Sequence, residues 1–190
     1  MDIIKVEKRD GQAKAKQLRQ AGIVPCCVYG GGLPESISIQ MEQKTANLLL
    51  QRNREGSKVE LELDGKRIPA QIKEKTRNFV DQSIEHIGFQ ALQANQTVNS
   101  VAHVILKNTE SVGGILEQML FEIPYASLPE HMIDTVTVDL EGVAVGTILT
   151  VADIPEFSSG HVALQLAEDS MVLRISDKKR APARMGMEEE

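Results

Sequence analysis

Residues 58–72 read KVELELDGKRIPAQI, and they constrain the fold more than any other stretch. Val59, Leu61 and Leu63 occupy alternate positions, Asp64-Gly65 interrupts, and Ile68, Ala70 and Ile72 resume the alternation. A period of two places one face of each run in a core. Asp-Gly between such runs predicts a two-residue type I′ hairpin, because both central residues of that turn need positive φ. A chain carrying this signal must build at least part of its core from antiparallel sheet.

The rest of the chain agrees with a mainly β fold. Of its 190 residues 42% are hydrophobic and only 3% aromatic, with no tryptophan. The core must therefore come from Val, Ile, Leu and Ala, and the β-branched members of that set favour strands. Strands are predicted in DIIKVEKR, IVPCCVYG, SISIQM and SIEHIGFQAL. In the last of these Ile87 and Phe89 share one side, and His86 and Gln90 share the other. Two short helices join them, one over Gln12 to Ala21 with an apolar side (Ala15, Leu18, Ala21) and a cationic, amide-rich side, the other at TANLLLQR.

Around ALQANQT the apolar density drops and amides cluster, which places a domain boundary near residues 93–96. Beyond it TVNSVAHVIL, IDTVTVDL, TILTVADI, HVALQL and SMVLRIS predict an antiparallel, sandwich-like domain, with a short helical turn at Leu116 to Met119. The expected organisation is a domain over 1–92, a β-rich domain over 97–176 and a disordered tail over 177–190. Charge divides the same way. Residues 1–92 carry 15 Lys and Arg against 12 Asp and Glu, a net of +3; residues 93–190 carry 6 against 15, a net of −9. No run approaches the roughly 18 apolar residues of a membrane span, and MDIIKVEKRD lacks a signal-peptide apolar region, so the expected location is cytoplasmic, with no membrane partner.

Several chemistries are unsupported. Successive side chains of an extended strand point to opposite faces, so Cys26 and Cys27 cannot both turn to one metal, and no C-x-x-C occurs. The run YGGGLPESISI lacks the Gly-Lys-Ser/Thr ending of a phosphate loop and leads to a strand, leaving two readings: a plain loop, or a backbone that lets a sugar-phosphate chain approach Tyr29. Ser158, Ser159 and His161 are sequence neighbours without a nucleophile elbow, and EHMID around His131 lacks the zinc-protease order. No enzyme, metal, cofactor or small-molecule substrate is expected. What remains is a basic surface in the first half: Lys8, Arg9, Lys14, Lys16 and Arg19 around the first helix, Lys73, Lys75 and Arg77 after the hairpin, and the flat rings of Tyr29 and His86. That mixture suits RNA, where cations hold the backbone and rings or amides meet bases. Solvated lysines covering apolar surface give the competing reading.

Motif order adds to this. EKRDGQAKAKQLRQAGIVPCCVYGGG and KEKTRNFVDQSIEHIGFQAL in the first half resemble the bacterial large-subunit ribosomal protein twenty-five family, also called the general stress protein Ctc family. SVGGILEQMLFEIPYASLPEHMIDTVTVDLEGVAVGTILTVADI in the second half does so too. The likeness runs from about residue 3 to 175 and fits the long two-domain type. It implies a small β-barrel with short helices that binds 5S ribosomal RNA in the large subunit, followed by a β-rich domain. Carried over, Arg9, Lys16, Arg19, Tyr29, Arg77 and His86 fall at RNA-contacting or RNA-facing positions, and Lys14 joins them as a cation of the same segment. The chain departs from the family pattern at Ala15 and Gln17, at Thr76, where glutamine is usual, and at Gly88, where aspartate is usual. The competing function is a stress-related protein-interaction module with a weakened RNA face and an acidic second domain that contacts a protein.

Overall fold

The computed structural model describes residues 3–158 and 160–177, so the expected tail, Asp177 apart, lies outside the described residues, as does Ser159. The Asp64-Gly65 turn has φ of 50° and 75°, the left-handed pair that a type I′ hairpin demands. It joins β4 (Lys58–Leu63) to β5 (Lys66–Arg77), with Leu63 opposite Lys66 and Val59 opposite Ala70. The alternation seen in sequence is thus the alternation of burial: Val59, Leu61 and Leu63 are inside.

Around this hairpin β1 (Ile3–Lys8), β2 (Ile23–Tyr29), β3 (Ile37–Glu42) and β6 (Ile84–Ala91) close a six-stranded barrel in the order β1-β3-β2-β6-β5-β4. Two of its contacts are parallel, β1 with β4 and β2 with β6. The interior is one continuous cluster that includes Val24, Cys26, Val28, Ile39, Leu61, Ile72, Ile87 and Phe89. Full burial of a side chain the size of Phe89 contributes about 2–3 kcal/mol. The helix α2 (Gln43–Arg52) adds Ala46 and Leu49 to the same cluster.

The helix α1 (Ala15–Gln20) is shorter than the helix-forming composition predicts. Asp10 holds the preceding turn, its Oδ1 accepting the Gln12 N–H at 3.0 Å and its carbonyl accepting the Ala13 N–H at 3.2 Å. A short polar side chain that captures the backbone two residues on competes with a helix there. Only Leu18 of α1 is buried, and the helix packs against β2 outside the barrel.

The second domain holds two sheets. One has the order β10-β7-β9-β12, formed by β7 (Val98–Lys107), β9 (Glu122–Ser127), β10 (Thr135–Asp139) and β12 (Val162–Leu164). The other has the order β11-β13-β8, formed by β8 (Ile115–Gln118), β11 (Ile148–Thr150) and β13 (Met171–Ser176). All pairings are antiparallel except β10 with β7. The helical turn expected at Leu116 to Met119 is instead β8: Glu117 pairs with Arg174, which also reaches its carboxylate at 3.4 Å, and Leu116 pairs with Ile175. The hydrogen-bond ladder of β13 overrides the helix propensity of these residues.

Side chains join the two units. Lys58 donates through Nζ to the Pro129 carbonyl (3.2 Å), Lys73 through Nζ to the Asn99 carbonyl (2.9 Å), and Ser100 through Oγ to the Gly56 carbonyl (3.2 Å). Gln71 is wholly buried and gives Nε2 both to Gln90 Oε1 (2.9 Å) and to the Asn99 carbonyl (3.1 Å). One ring nitrogen of His103 meets the Glu55 carbonyl at 2.9 Å.

Candidate nucleic-acid interface

Two bulges decide what the barrel shows to solvent along β5 and β6. Phe89 pairs with Ile72 and Gly88 with Glu74, so Lys73 is the extra residue. Further along, His86 pairs with Thr76 and Ile84 with Arg77, so Glu85 is the extra residue. An extra residue re-aims the side chains that follow it. Ile84 and Ile87 are both buried while Glu85 and His86, between them, are both half-exposed on the outside. Past Lys73 the carboxylate Glu74 faces outward over Gly88.

Register then sets out rows across β2, β6 and β5. Tyr29 aligns with Gln90 and Gln71; Cys27 aligns with Gly88 and Glu74. The Cys27 row continues to Ser38 of β3, whose carbonyl accepts the Arg9 N–H at 3.0 Å. Arg9 is half-buried: its Nη2 donates to the Ala13 carbonyl at 2.8 Å, pinning the loop that leads into α1, and its Nε is buried without a partner. Lys14 precedes α1 in an extended conformation, and Lys16 and Arg19 stand one turn apart on its exposed side. Arg19 lies 3.9 Å from Glu85, which ties the end of α1 to the start of β6. The structure therefore brings Arg9, α1 with its cations, Tyr29 and His86 to one side of the barrel.

Arg77 is placed differently. It is exposed, but it aligns with the inward-facing Ile84, so it leaves β5 on the opposite side from Thr76 and His86, at the barrel's rim. Lys75 shares that side and pairs with Glu55 at 3.8 Å, and Lys73 is committed to Asn99. Sequence reasoning missed Cys27, Gln90 and Glu74 as members of the outer rows. Simple alternation would have turned Glu74 inward, and no signal in the sequence marks a bulge.

Glu74 shapes the electrostatics of this face. Burial pushes the Tyr29 hydroxyl above the usual phenol range, and the Glu74 carboxylate and then Cys27 add to the rise. The Cys27 thiol is raised in the same way, by burial first and Glu74 second. Cys26 is pushed up to about 12 by burial. Both thiols stay protonated at neutral pH, which removes them as nucleophiles. The three glycines after Tyr29 all have positive φ, and a Cβ at Gly31 would lie 2.5 Å from the backbone of Ala91. The loop is drawn against the end of β6, which accounts for Gly31 without any ligand.

Among the described residues no group of three or more His, Cys, Asp or Glu is arranged to hold a metal. In the second domain His131 and His161, separate in sequence, stack with ring centroids 4.3 Å apart and planes 17° from parallel. No helix among the described residues is long and apolar enough to cross a membrane.

Residues 4–89 match the Ribosomal L25p family, and residues 97–179 match the C-terminal domain of ribosomal protein TL5. The Large ribosomal subunit protein bL25 of Akkermansia muciniphila is 30% identical over 190 residues, covering 95% of this chain and 93% of that protein. Its namesake in Thermoanaerobacter sp. (strain X514) is 31% identical over 155 residues, covering 80% and 77%. That of Gloeothece citriformis is 28% identical, covering 93% and 91%.

Proposed function

The chain belongs to the bL25 family of large ribosomal subunit proteins, and on that premise we propose that it is a structural constituent of the large subunit whose barrel binds 5S ribosomal RNA. Its role is binding, not catalysis, and its place is the ribosome in the cytoplasm. The RNA-binding unit is residues 1–92, and the second unit is residues 97–176.

The observation that carries this reading is the convergence of Arg9, α1 and the outer rows of β2 and β6 on one side of the barrel. Lys14, Lys16 and Arg19 supply positive charge for phosphates, while Tyr29 and His86 supply flat surfaces for bases or sugars. Arg9 also acts within the protein, since by holding the Ala13 carbonyl it sets the path of the loop that delivers α1. Arg77, at the rim, reaches RNA only where the nucleic acid passes the barrel's edge.

Binding of purified 5S RNA by the full chain, measured across a salt series, tests the reading. Each phosphate contact adds roughly 0.7–0.9 to the slope of log K against log salt. The double variant K16E/R19E is expected to weaken binding about 100-fold at low salt and to flatten that slope by about two such increments. Absence of saturable binding, or an unchanged affinity in the variant, would reject it.

For the acidic second domain, whose net charge disfavours phosphate, we propose a protein partner. The competing module with a weakened RNA face is not favoured, since the relatives that cover most of this chain are ribosomal proteins.

A further inference from the structure

A free carboxylate lies in the middle of the surface assigned to RNA. A Cβ on Gly88 would sit 2.6 Å from Cγ and 2.7 Å from Oε1 of Glu74, so this side chain fills the space a residue at 88 would occupy. Glu74 is exposed and has no hydrogen bond or ion pair to any other described residue. The groups that feel its charge are Cys27, in its own row, and Tyr29, in the adjoining one.

An ionised carboxylate only accepts hydrogen bonds, and it repels phosphate. A surface meant solely to grip the RNA backbone would gain nothing from one placed here. The groups of RNA that complement it are the N–H donors of base edges. Guanine alone presents two adjacent donors, N1–H and the N2 amine, on its Watson–Crick edge, spaced to meet the two oxygens of one carboxylate. Single-stranded or unpaired bases are the ones whose Watson–Crick edges proteins reach, and flat side chains support them. Tyr29 and His86 lie along the strands on either side of the Glu74 row.

We propose that Glu74, aimed outward by the Lys73 bulge and laid over Gly88, accepts both Watson–Crick-edge hydrogen bonds of an unpaired guanine and is the base-specifying residue of this surface. The inference rests on the RNA-binding reading above and deepens it.

The test uses the full chain, purified 5S RNA and kethoxal, a reagent that adds across guanine N1 and N2. The unaltered protein is expected to protect at least one guanine from kethoxal. E74Q keeps the shape but sets an amide against the guanine donors; it should expose that guanine and weaken 5S RNA binding about ten-fold. Binding to polyadenylate should be unchanged or tighter, since a negative charge is lost. G88A, whose backbone has no positive φ, displaces the carboxylate without removing its charge and should resemble E74Q. E74A/G88D returns a carboxylate from the other strand and should restore both protection and affinity. If the unaltered chain binds and E74Q binds equally or more tightly with the same guanine protected, the carboxylate is only a repulsive charge and the inference is overturned alone. If the unaltered chain shows no saturable binding, the RNA reading falls and this falls with it.

Discussion

In the barrel every strand has a neighbour on each side, whereas the sheets of the second domain end in β10, β12, β11 and β8. Three of those edges are only three or four residues long, which limits the backbone they offer to other chains. The barrel has a single core, and the second domain has two clusters that share Leu106 and Val138 at their borders. Closure leaves the barrel nothing to present but its outer side chains. The closed unit carries a net positive charge and presents side-chain rows, whereas the open, acidic unit held to it by hydrogen bonds presents short sheet edges.

The largest expected effect that could break this contrast comes from the barrel core. F89A should cost about 3–5 kcal/mol in urea unfolding and abolish 5S RNA binding. If the second domain then unfolds at the same urea concentration, the hydrogen bonds through Lys58, Gln71 and Lys73 make the chain one cooperative unit, and the contrast is of shape alone.

Y125F should have a smaller and local effect. The Tyr125 hydroxyl accepts the Ile133 N–H at 2.6 Å and donates to the Ile133 carbonyl at 2.9 Å, so its loss leaves two backbone groups unpaired. The expected cost is about 1–3 kcal/mol, with 5S RNA affinity unchanged. A fall in affinity would show that the second domain takes part in the RNA surface.

The smallest effect is an acid response confined to the second domain. Asp153 has its pKa lowered by hydrogen bonds from the Thr150 backbone and then from the Thr150 hydroxyl, and Asp139 by the Glu141 backbone and then the Asn108 amide. A carboxyl with a depressed folded pKa stabilises above its unfolded value, near 3.8, and that contribution is lost as pH falls through the lowered value. D153N should slightly lower the second domain's melting temperature at neutral pH and make it less sensitive to acid, with the barrel's transition unmoved.

Much of the barrel was legible because its signals are local. The Asp64-Gly65 turn and the alternation of Ile87 and Phe89 against His86 depend on residues adjacent in the chain, and both appear as read. Elements that depend on a distant strand were not legible. Residues 115–118 favour a helix until β13 supplies a ladder, and the parallel contact of β2 with β6 leaves no trace in either segment. Within the candidate site, parity made the outward placement of His86 legible. That of Glu74 was not, because the Lys73 bulge changes the parity of everything after it. The resemblance to a known family named the barrel, but no spacing in this chain announces that six strands close.

The strand 73–77 carries positive side chains at 73, 75 and 77 and non-cationic ones at 74 and 76. Its sequence therefore puts cations and non-cations on opposite sides of the strand, and the pairing with β6 sets which of these exposed sets lies beside the outer rows of β2 and β6. A slip of one position would exchange the side that carries Glu74 and Thr76 for the side that carries Lys75 and Arg77 without altering a single side chain. Surfaces of this kind can change their chemical preference through small insertions or deletions, a route that comparing residue identities column by column would overlook.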